Sequence, residues 1–560
     1  MLAPELATGR LEQRSPAHTV AQCAAIAGVA AAVVAIVGIK GNFPLYDDWS
    51  YAYTTRALCE KGRLDLLPWS GSSLVLQAAY GALVCKAFGF SFAVLRATTL
   101  VAAVAGAVGF ALLLRAARVH GPLAALALAL FGLNPLYVSL AFTYMTDVPF
   151  VALLVWAAYL YALGLERGRG GPLLAASLAC SAAVLVRQHG IFLAAAAFLA
   201  CLVFPRQPMR VRARHALLAA FAPGLALAGV TAWMFLWRTP PAGAANRAAE
   251  LAHLSPLLLA NAAFRSLGYI GLFTAPLAFA LARPLFGRRP KTVAACLALV
   301  AAGAAFLYAR EGALMPYLTN VIYDFGLGPW TLRDVFFLGH EPPGHIGIAL
   351  ELPATVVCLA AAALLAASWI EHLGRLRDPR EGFLVFGAFF LAAGALLQAR
   401  LFLDRHLLPV VPLVLAASAT ARRACRPGPL AFGLAALLAW YSVAGTHDYM
   451  AWNRARWQLL ERLEARGTSP ERIDGGFEYN AWHLAARLGT WPTMAEARIG
   501  HPPSEKSWWW VIRDDYRVVS RPSPDEQAVD RADYPVLLAV PPRIGSVYLV
   551  AASPSPSRPR

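Results

Sequence analysis

Long apolar stretches recur along most of this chain, and each is long enough to cross a lipid bilayer. The first, Val20 to Ile39, holds about 20 residues with only Gln22 and Cys23 as polar interruptions, which matches a hydrocarbon core ~30 Å thick. The apolar part of a secretory signal peptide is shorter, about 7–15 residues, and no clear small-residue cleavage site follows the stretch. We therefore interpret it as a membrane anchor rather than a cleaved signal.

The whole chain has the composition of a polytopic membrane protein. Of its 560 residues, 58% are hydrophobic and 14% are charged, which does not fit a series of soluble domains. We predict an all-α polytopic fold with about thirteen membrane spans. After the first span, the others fall at about 92–114, 121–141, 148–165, 172–186, 189–204, 216–236, 264–282, 292–309, 349–370, 383–399, 407–420 and 428–446.

Connections rich in arginine alternate with connections that contain little of it. Short loops rich in Lys and Arg stay cytoplasmic, so we place on that side the N-terminal Arg10 and Arg14 and the connections around 115–118, 167–169, 206–214, 283–291, 375–380 and 422–426. This topology and anionic lipid headgroups explain the net charge of +17. No Lys/Arg tract of the nucleic-acid-binding kind is present, so nucleic acid is excluded as a partner.

The remaining connections are predicted to lie outside the membrane, and two of them are long. Residues 41–91 contain two stretches with helical spacing, Asp48 to Lys61 and Ser72 to Gly89, which we interpret as helices along the membrane interface. After Gly445 the composition becomes charged and aromatic. We therefore predict a transmembrane domain over 1–446 and a small extracytoplasmic α/β domain over 447–560, with a disordered tail from Ser553.

Three acidic residues fall at the outer ends of predicted spans: Asp47 and Asp48 after the first, and Asp147 before a later one. A charge that sank to the bilayer centre would cost ~2.5–3.5 kcal/mol, so each carboxylate is expected to face water or a partner. Helix capping is the alternative, since Asp is a good N-cap and Pro149 suits a first helical turn. Adjacent helical residues point about 100° apart, so we expect Asp47 to face a ligand and Asp48 to be the cap.

Several basic residues also lie at outer span ends, against the bias that places arginine inside. They are Arg96, Arg187, His189, Arg400, Arg405 and His406. Arginine binds phosphate through a planar fork of charge-assisted hydrogen bonds, so this set predicts an anion site. The alternatives are that Arg405 pairs with Asp404 or Asp147 and that Arg187 snorkels to the interface.

Five short motifs carry a family resemblance over about residues 1–480. In chain order they are Tyr46-Asp-Asp-Trp-Ser-Tyr51, Gly89-Phe-Ser-Phe-Ala-Val-Leu-Arg96, Met145-Thr-Asp147-Val-Pro, Asp404-Arg-His-Leu-Leu-Pro409 and Gly475-Gly-Phe-Glu-Tyr-Asn-Ala-Trp482. This order resembles the GT-C glycosyltransferases, in particular the bacterial branch with protein O-mannosyltransferases (glycosyltransferase family 39) and lipid A aminoarabinose transferases. The resemblance implies a GT-C fold and a transferase that moves a sugar from a polyprenyl-phosphate carrier to a glycan, lipid or protein hydroxyl. It also implies location in the bacterial inner membrane, with transfer on the outer face.

The resemblance implies residue roles as well. The first acidic residue of the first external loop acts as base or acceptor-orienting group in such enzymes, which maps onto Asp47 with Asp48 beside it. Asp147 matches the second acidic position, and Arg96 matches an arginine that holds the carrier phosphate. Two departures argue against lipid A as acceptor: aminoarabinose transferases carry an arginine where this chain has Ser50, and a Lys-Pro-Pro-like step where it has Trp69-Ser-Gly-Ser72.

These roles define a hypothesis for the reaction. Asp47 would accept the proton of the acceptor hydroxyl, and Arg96 would stabilise the departing phosphate with help from Arg187 or Arg405. Such a single displacement inverts the anomeric carbon. Further donor-phosphate candidates are His189 and His406, and acceptor-side candidates are Tyr51, Glu478 and Asn480.

Some alternatives stay open at this stage. No cofactor is demanded by the sequence, but a divalent metal held by Asp47, Asp48 and Asp147 would suit hard oxygen ligands. The run Trp508-Trp-Trp510 is interpreted as structural rather than sugar-binding. The alternative function is a transporter of a polar or anionic solute, although the inverted repeats typical of transporters are not evident.

Overall fold

A computed structural model describes residues 16–67, 69–237, 253–318, 320–324, 326–336, 340, 347–488, 511–524 and 526–551. Three sequence-based predictions lie outside these residues. They concern Arg10 and Arg14, the run Trp508-Trp-Trp510, and the tail from Ser553.

Helices make up most of the described chain. The first half folds into α1 (Pro16–Val37), α2 (Asp48–Lys61), α3 (Val75–Phe88), α4 (Phe92–Ala116), α5 (Gly121–Gly132), α6 (Pro135–Ala141), α7 (Asp147–Arg167), α8 (Gly170–Val184), α9 (Ile191–Val203) and α10 (Met209–Ala232). The second half contains α11 (Pro256–Arg288), α12 (Pro290–Glu311), α13 (Arg333–Phe336), α14 (Ile348–Leu373), α15 (Pro379–Leu396), α16 (Val410–Ala421), α17 (Pro429–Ala465) and α18 (Phe477–Leu488). The predicted helical, polytopic fold is confirmed.

Each of the thirteen predicted spans overlaps a helix. Within the described ranges, nine helices are long and apolar enough to cross a membrane: α1, α4, α7, α10, α11, α12, α14, α15 and α17. The stretch predicted as one span at 121–141 consists of α5 and α6, which meet at a 49° bend. The other three predicted spans correspond to the shorter helices α8, α9 and α16. The number of crossings therefore stays a prediction.

The bend between α5 and α6 has a local cause. Asn134 accepts a hydrogen bond from the backbone N–H of Leu136 and so caps α6. Pro135 follows as the first residue of α6, where its fixed φ and missing N–H suit a helix start and prevent continuation of α5.

Helices α4 and α7 pack closely, and their contact positions Asp147. Gly106 of α4 faces Ala152 of α7 so closely that a Cβ at Gly106 would lie 3.2 Å from the Cα of Ala152. Small residues at such contacts allow membrane helices to approach each other. Tyr137 fixes the same region, because its hydroxyl donates to the carbonyl of Ala103 at 2.8 Å.

The two helices predicted in the first external loop are present as α2 and α3. Gly62 ends α2 in the left-handed conformation, with φ of 64°, which glycine adopts without a Cβ penalty. The first half of α2 is buried, including Trp49 and Tyr51. This loop is therefore part of the protein core at the end of the bundle where Asp47 lies.

The C-terminal region combines a long helix with a small sheet. Helix α17 has 37 residues, or ~55 Å, which exceeds the thickness of a bilayer. It continues through residues 446 and 447, so the domain boundary expected there stays a prediction. Earlier in the chain, β1 (Ile322–Tyr323) and β2 (Gly326–Leu327) form an antiparallel pair. The C-terminal sheet has the order β3 (Ile473–Asp474), β4 (Tyr516–Val519), β6 (Arg543–Ala551), β5 (Gln527–Val536), in which only the β3/β4 pair is parallel among the described strands of this sheet.

Candidate active site

Asp47 lies at the N-terminus of α2 and is the most exposed of the three predicted aspartates, with 22% of its side chain accessible. It occupies the N-cap position, but its side chain makes no capping hydrogen bond. Oδ2 instead accepts a hydrogen bond from Arg405 Nη2 at 2.9 Å, and Oδ1 accepts one from Trp69 Nε1 at 3.0 Å. The carboxylate therefore points away from its own helix towards other parts of the chain.

Arg405 reaches Asp47 from a 3₁₀ turn, Asp404–Leu407. The buried Asp404 holds this turn in place, because its carboxylate accepts from the backbone N–H groups of Val321 at 3.1 Å and Ile322 at 2.6 Å. Burial raises the pKa of Asp404 to about 6. Asp404 therefore positions Arg405 through the backbone and is not its side-chain ion-pair partner, contrary to one of the sequence-based alternatives.

Asp147 and Arg187 form a second ion pair, 3.0 Å between Oδ2 and Nη2. Asp147 is the first residue of α7, and its side chain is 1% exposed. Arg187, just before a 3₁₀ turn, also donates from Nε to Thr146 at 2.6 Å. The alternative that Arg187 snorkels to the interface does not account for these contacts, since Arg187 is tied to the start of α7.

All four charged groups of the two ion pairs lie within electrostatic range of Tyr51. The carboxylates of Asp47 and Asp147 and the guanidinium groups of Arg187 and Arg405 all act on this phenol, although burial is the largest reason why the pKa of Tyr51 is raised. Both carboxylates also raise the pKa of Arg405 against the effect of burial. These five residues converge although they come from four separate regions of the chain. We call them the five-residue cluster.

Three of these side chains have polar atoms without a hydrogen-bond partner among the described residues. Arg405 Nε and Nη1, and Asp147 Oδ1, are buried without a hydrogen bond to any described residue. Arg187 uses Nε and Nη2 for its bonds, so its Nη1 is also without one among the described residues. Buried unpaired donors cost free energy, which an anionic ligand between the arginines would recover.

An aromatic group lines one side of Asp47. The ring of Trp69 lies 5.9 Å from Trp49 and 5.9 Å from Phe477, measured between centroids. Trp69 and Phe477 were not predicted as site residues. Trp69 was visible in the sequence only as part of a departure from the aminoarabinose transferase pattern, and its contact with Asp47 spans 22 positions.

Asp48 is placed apart from the cluster and is fully buried. Its carboxylate accepts from the backbone N–H groups of Leu45 at 2.7 Å and Tyr144 at 3.0 Å. Burial raises the pKa of Asp48 to about 7, against the opposing effects of Arg96 and these two hydrogen bonds. The expected cap role of Asp48 is corrected: it joins the first loop to the segment before α7 and does not bond the amides of α2.

Arg96 is placed beside Asp48 and not in the five-residue cluster. It is fully buried, and its guanidinium donates to the carbonyl oxygens of Gly41 and Phe43. It also lies over the ring of Phe43, 4.6 Å from the centroid. Arg96 therefore has no exposed surface in this structure, and its hydrogen bonds fix the backbone leading to Asp47.

The other predicted basic residues have local contacts. His189 Nε2 lies 3.0 Å from Gln398 Nε2, and His406 Nδ1 accepts from the backbone N–H of Leu403 at 3.3 Å. Arg400 is exposed in the turn Ala399–Leu401. These contacts of His189 and His406 do not involve a member of the five-residue cluster.

Glu478 and Asn480 are both fully buried, so neither borders an open cleft in this structure. Glu478 accepts from Arg456 at 3.0 Å and from Thr331 at 2.6 Å. Asn480 bonds Asp474 and the N–H of Gly475, at 3.0 and 3.1 Å. These contacts are structural, and they place the neighbouring Phe477 against Trp69.

The aspartates do not form a metal centre as placed here. Among the described residues no group of three or more His, Cys, Asp or Glu side chains is arranged to hold a metal ion. Asp47 and Asp147 face arginines, and Asp48 faces backbone N–H groups. This set of partners does not fit a divalent cation, which prefers several free oxygen ligands.

Solved structures of several membrane glycosyltransferases align with the chain at low identity. Apo ArnT from Cupriavidus metallidurans aligns over 97% of this chain and 100% of its own, at 15% identity and a TM-score of 0.37. The oligosaccharyltransferase AglB from Archaeoglobus fulgidus covers 77% of this chain and 55% of its own, at 13% identity and a TM-score of 0.37. The arabinosyltransferase EmbB from Mycobacterium smegmatis aligns over 75% of this chain and 44% of its own, at 16% identity and a TM-score of 0.33. Likenesses this low assign no role to any residue.

Sequence comparison gives one family match. No curated protein sequence matches the chain. The model of the dolichyl-phosphate-mannose-protein mannosyltransferase family matches residues 77–234, a segment that contains Arg96, Asp147 and Arg187 but neither Asp47 nor Arg405. Over this segment the chain is similar to that family, which confirms the resemblance drawn from the sequence.

Proposed function

We propose that this protein is a membrane glycosyltransferase that moves a sugar from a polyprenyl-phosphate carrier to a hydroxyl acceptor, on the outer face of the inner membrane. The observation that carries the proposal is the five-residue cluster. It combines one accessible carboxylate, Asp47, with two arginines, Arg187 and Arg405, that have unpaired N–H groups. A general base beside an anion site is what transfer from a phosphate-linked sugar requires.

Asp47 is proposed as the general base. Both of its oxygens accept one hydrogen bond, but a carboxylate has about four lone-pair sites, so an acceptor hydroxyl can still donate to it. The hydroxyl oxygen attacks the anomeric carbon as its proton passes to Asp47. A positioned base of this kind contributes typically 10²–10⁴-fold to the rate.

Arg405 and Arg187 are proposed to hold the donor phosphate, in place of Arg96. As the bond between the anomeric carbon and the phosphate oxygen breaks, its electron pair stays on the phosphate. Preorganised guanidinium groups stabilise that charge in a site shielded from water. Asp147 pairs with Arg187 and acts on Arg405, so we propose it as a positioning residue.

The hexose or pentose and the acceptor are left open by this arrangement. Trp69 and Phe477, which pack on the buried Trp49, provide a partly exposed aromatic surface beside Asp47, which suits the apolar face of a sugar ring. A single displacement with one base predicts inversion at the anomeric carbon.

The test uses the full-length protein in proteoliposomes with a panel of radiolabelled polyprenyl-phosphate hexoses and pentoses. The wild type should transfer at least one sugar, and Asp47→Asn should lower the rate by about 10²–10⁴-fold. Glu60→Gln is the matched control, because it is the same kind of change on the exposed end of α2; it should keep wild-type transfer. Full activity of Asp47→Asn would overturn the assigned base, and uptake of a solute without transfer of any sugar would favour a transporter.

A further inference from the structure

A pocket with a polar lining lies at the end of α7 opposite Asp147. This helix runs 21 residues from Asp147 to Arg167, so its ends are ~30 Å apart. A cavity of about 220 Å³ opens at the Arg167 end, between the ends of α7, α8, α9 and α10. Its polar lining consists of Glu166, Arg167, Arg206, Gln207, Arg212 and His215.

The acidic groups near this pocket are already neutralised. Glu166 accepts from Arg118 at 3.1 Å and from Arg380 at 2.7 Å. Asp378 accepts from Arg380 at 2.7 Å and forms an ion pair with Arg206 at 3.4 Å. These two carboxylates therefore leave no charge to balance further arginines in the lining.

Two arginines in the lining have no acidic partner in the described chain. Arg167 is exposed and makes no ion pair with a described residue. Arg212 is half-buried and uses Nε for the carbonyl of Cys201, at 3.3 Å, so both Nη groups are left for a ligand. Gln207 is fixed beside them by its bond to the carbonyl of Gly168 at 3.2 Å.

Two arginines of another connection at this end of the bundle are paired with glutamates. Arg423 donates to Ala117 and Arg380 donates to Ala116, which shows that these loops lie at one end. There, Arg422 pairs with Glu371 and Arg423 pairs with Glu381. What distinguishes Arg167 and Arg212 is that they line a cavity and have no acidic partner among the described residues.

The remaining walls of the pocket are apolar. Leu173, Cys201 and Phe204 line it, and the adjoining helices α8 and α10 present exposed apolar side chains, Leu174, Leu178, Leu217 and Phe221. A ligand in this position meets arginines at one end and hydrocarbon-facing surface at the other. Basic pockets between membrane helices bind anionic lipid headgroups for this reason.

We propose that this pocket binds the phosphodiester headgroup of an anionic phospholipid, with Arg167, Arg212 and Gln207 as hydrogen-bond donors and the acyl chains along α8 and α10. The lipid would link the ends of α7, α8 and α10, and α7 carries Asp147 at its opposite end. This site is independent of the proposed sugar transfer.

The test measures lipid binding by native mass spectrometry of the full chain in neutral detergent, with equimolar phosphatidylglycerol and phosphatidylcholine. The wild type should carry phosphatidylglycerol in preference. Each basic residue near an anionic headgroup contributes on the order of 1 kcal/mol, so Arg167→Gln/Arg212→Gln should weaken this binding about thirty-fold. Arg167→Gln alone, an exposed change that leaves the bond of Arg212 intact, should weaken it about fivefold.

The matched control is Arg288→Gln/Arg426→Gln, which removes two exposed arginines from other connections and should keep the preference. Equal binding of the two lipids by the wild type, or an equal loss in the control, would overturn the proposal.

A parallel thermal-unfolding series with inorganic phosphate separates the two sources of phosphate. If inorganic phosphate stabilises the wild type and displaces phosphatidylglycerol at equal concentration, the pocket takes a soluble anion and the lipid assignment fails.

Discussion

Arg405 and Asp47 are 358 positions apart in the chain, yet Arg405 Nη2 donates to Asp47 Oδ2 at 2.9 Å. Their meeting joins the first loop of the protein to a turn near its last membrane helices. It also makes Arg405, rather than Arg96, the arginine that touches the proposed base.

Replacement of Arg405 should impair use of the donor. Removing one preorganised donor from a developing oxyanion costs about 10²–10³ in rate, so Arg405→Gln should lose that much in kcat/KM for the polyprenyl-phosphate sugar. Arg405→Lys keeps the positive charge but not the planar guanidinium group, so it should recover part of the lost kcat/KM. Initial rates at varied donor concentration measure this, with Arg400→Gln, on an exposed neighbouring turn, as the control. Wild-type kcat/KM in Arg405→Gln would rule out contact with the donor.

Replacement of Trp69 by Phe should lower kcat without unfolding the protein. The change keeps an aromatic ring against Trp49 and Phe477 but removes the N–H donated to Asp47. A hydrogen bond to a charged group contributes about 1.5–3 kcal/mol, so a loss of at least about tenfold in kcat is expected. Trp369→Phe is the control, since it removes a similar bond, to Ser418, away from Asp47. It should change stability and not kcat.

Much of the fold could be predicted because it depends on local hydrophobic length. The positions of the thirteen apolar stretches and the start of α7 at Asp147 follow from runs of apolar residues and from the preference of Asp and Pro for a first turn. The 49° bend at Asn134 and Pro135 also has a signal in the sequence, namely a capping residue directly before proline. It was missed because hydropathy alone reads the two helices as one span.

The candidate site was predicted less completely, for a physical reason. Arg96 and Arg405 look alike in sequence, since each is an arginine at an outer span end. Which of them is satisfied by backbone carbonyls depends on where Gly41 and Phe43 pack, and that is set by long-range contacts. The same holds for Asp47 and Asp48, whose different partners come from residues 405 and 144.

Replacement of Arg96 by Lys should separate its role from that of Arg405. Lysine cannot reproduce the two bonds to the carbonyls of Gly41 and Phe43 in the same geometry, so the backbone before Asp47 should lose its fixed position. We expect a lower thermal-unfolding temperature and a lower kcat with an unchanged KM for the donor. A rise in the donor KM as large as that of Arg405→Gln would instead indicate that Arg96 contacts the donor phosphate.

Asp147 and Arg187 should behave as one energetic unit. Removing one partner of a largely buried ion pair typically costs 3–5 kcal/mol, because the other charge is left without compensation. Asp147→Asn and Arg187→Gln should each destabilise the protein strongly, and the double variant should be destabilised by less than the sum of the two. A double-mutant cycle by chemical or thermal unfolding in detergent measures this coupling. Additive effects would show that the 3.0 Å contact contributes nothing.

The stability of the wild type should fall with rising pH because of Asp48. Burial raises its pKa from the ordinary 3.8 to about 7, so the folded state holds this proton more tightly than the unfolded state does. The contribution of this proton to the free energy of unfolding is therefore full below about pH 4. It declines as the pH rises towards about 7 and changes little beyond that. Asp48→Asn has no proton to lose, and it keeps an acceptor for only one of the N–H groups of Leu45 and Tyr144, so its stability should be lower at acid pH.

The unfolding temperature of the wild type minus that of Asp48→Asn, measured from about pH 5 to pH 8, should decrease steadily. Asp404 and Asp334, whose pKa values burial also raises, are present in both proteins and cancel in the difference. A difference that is flat or rises with pH would mean that Asp48 is charged throughout and that its two backbone hydrogen bonds outweigh its burial.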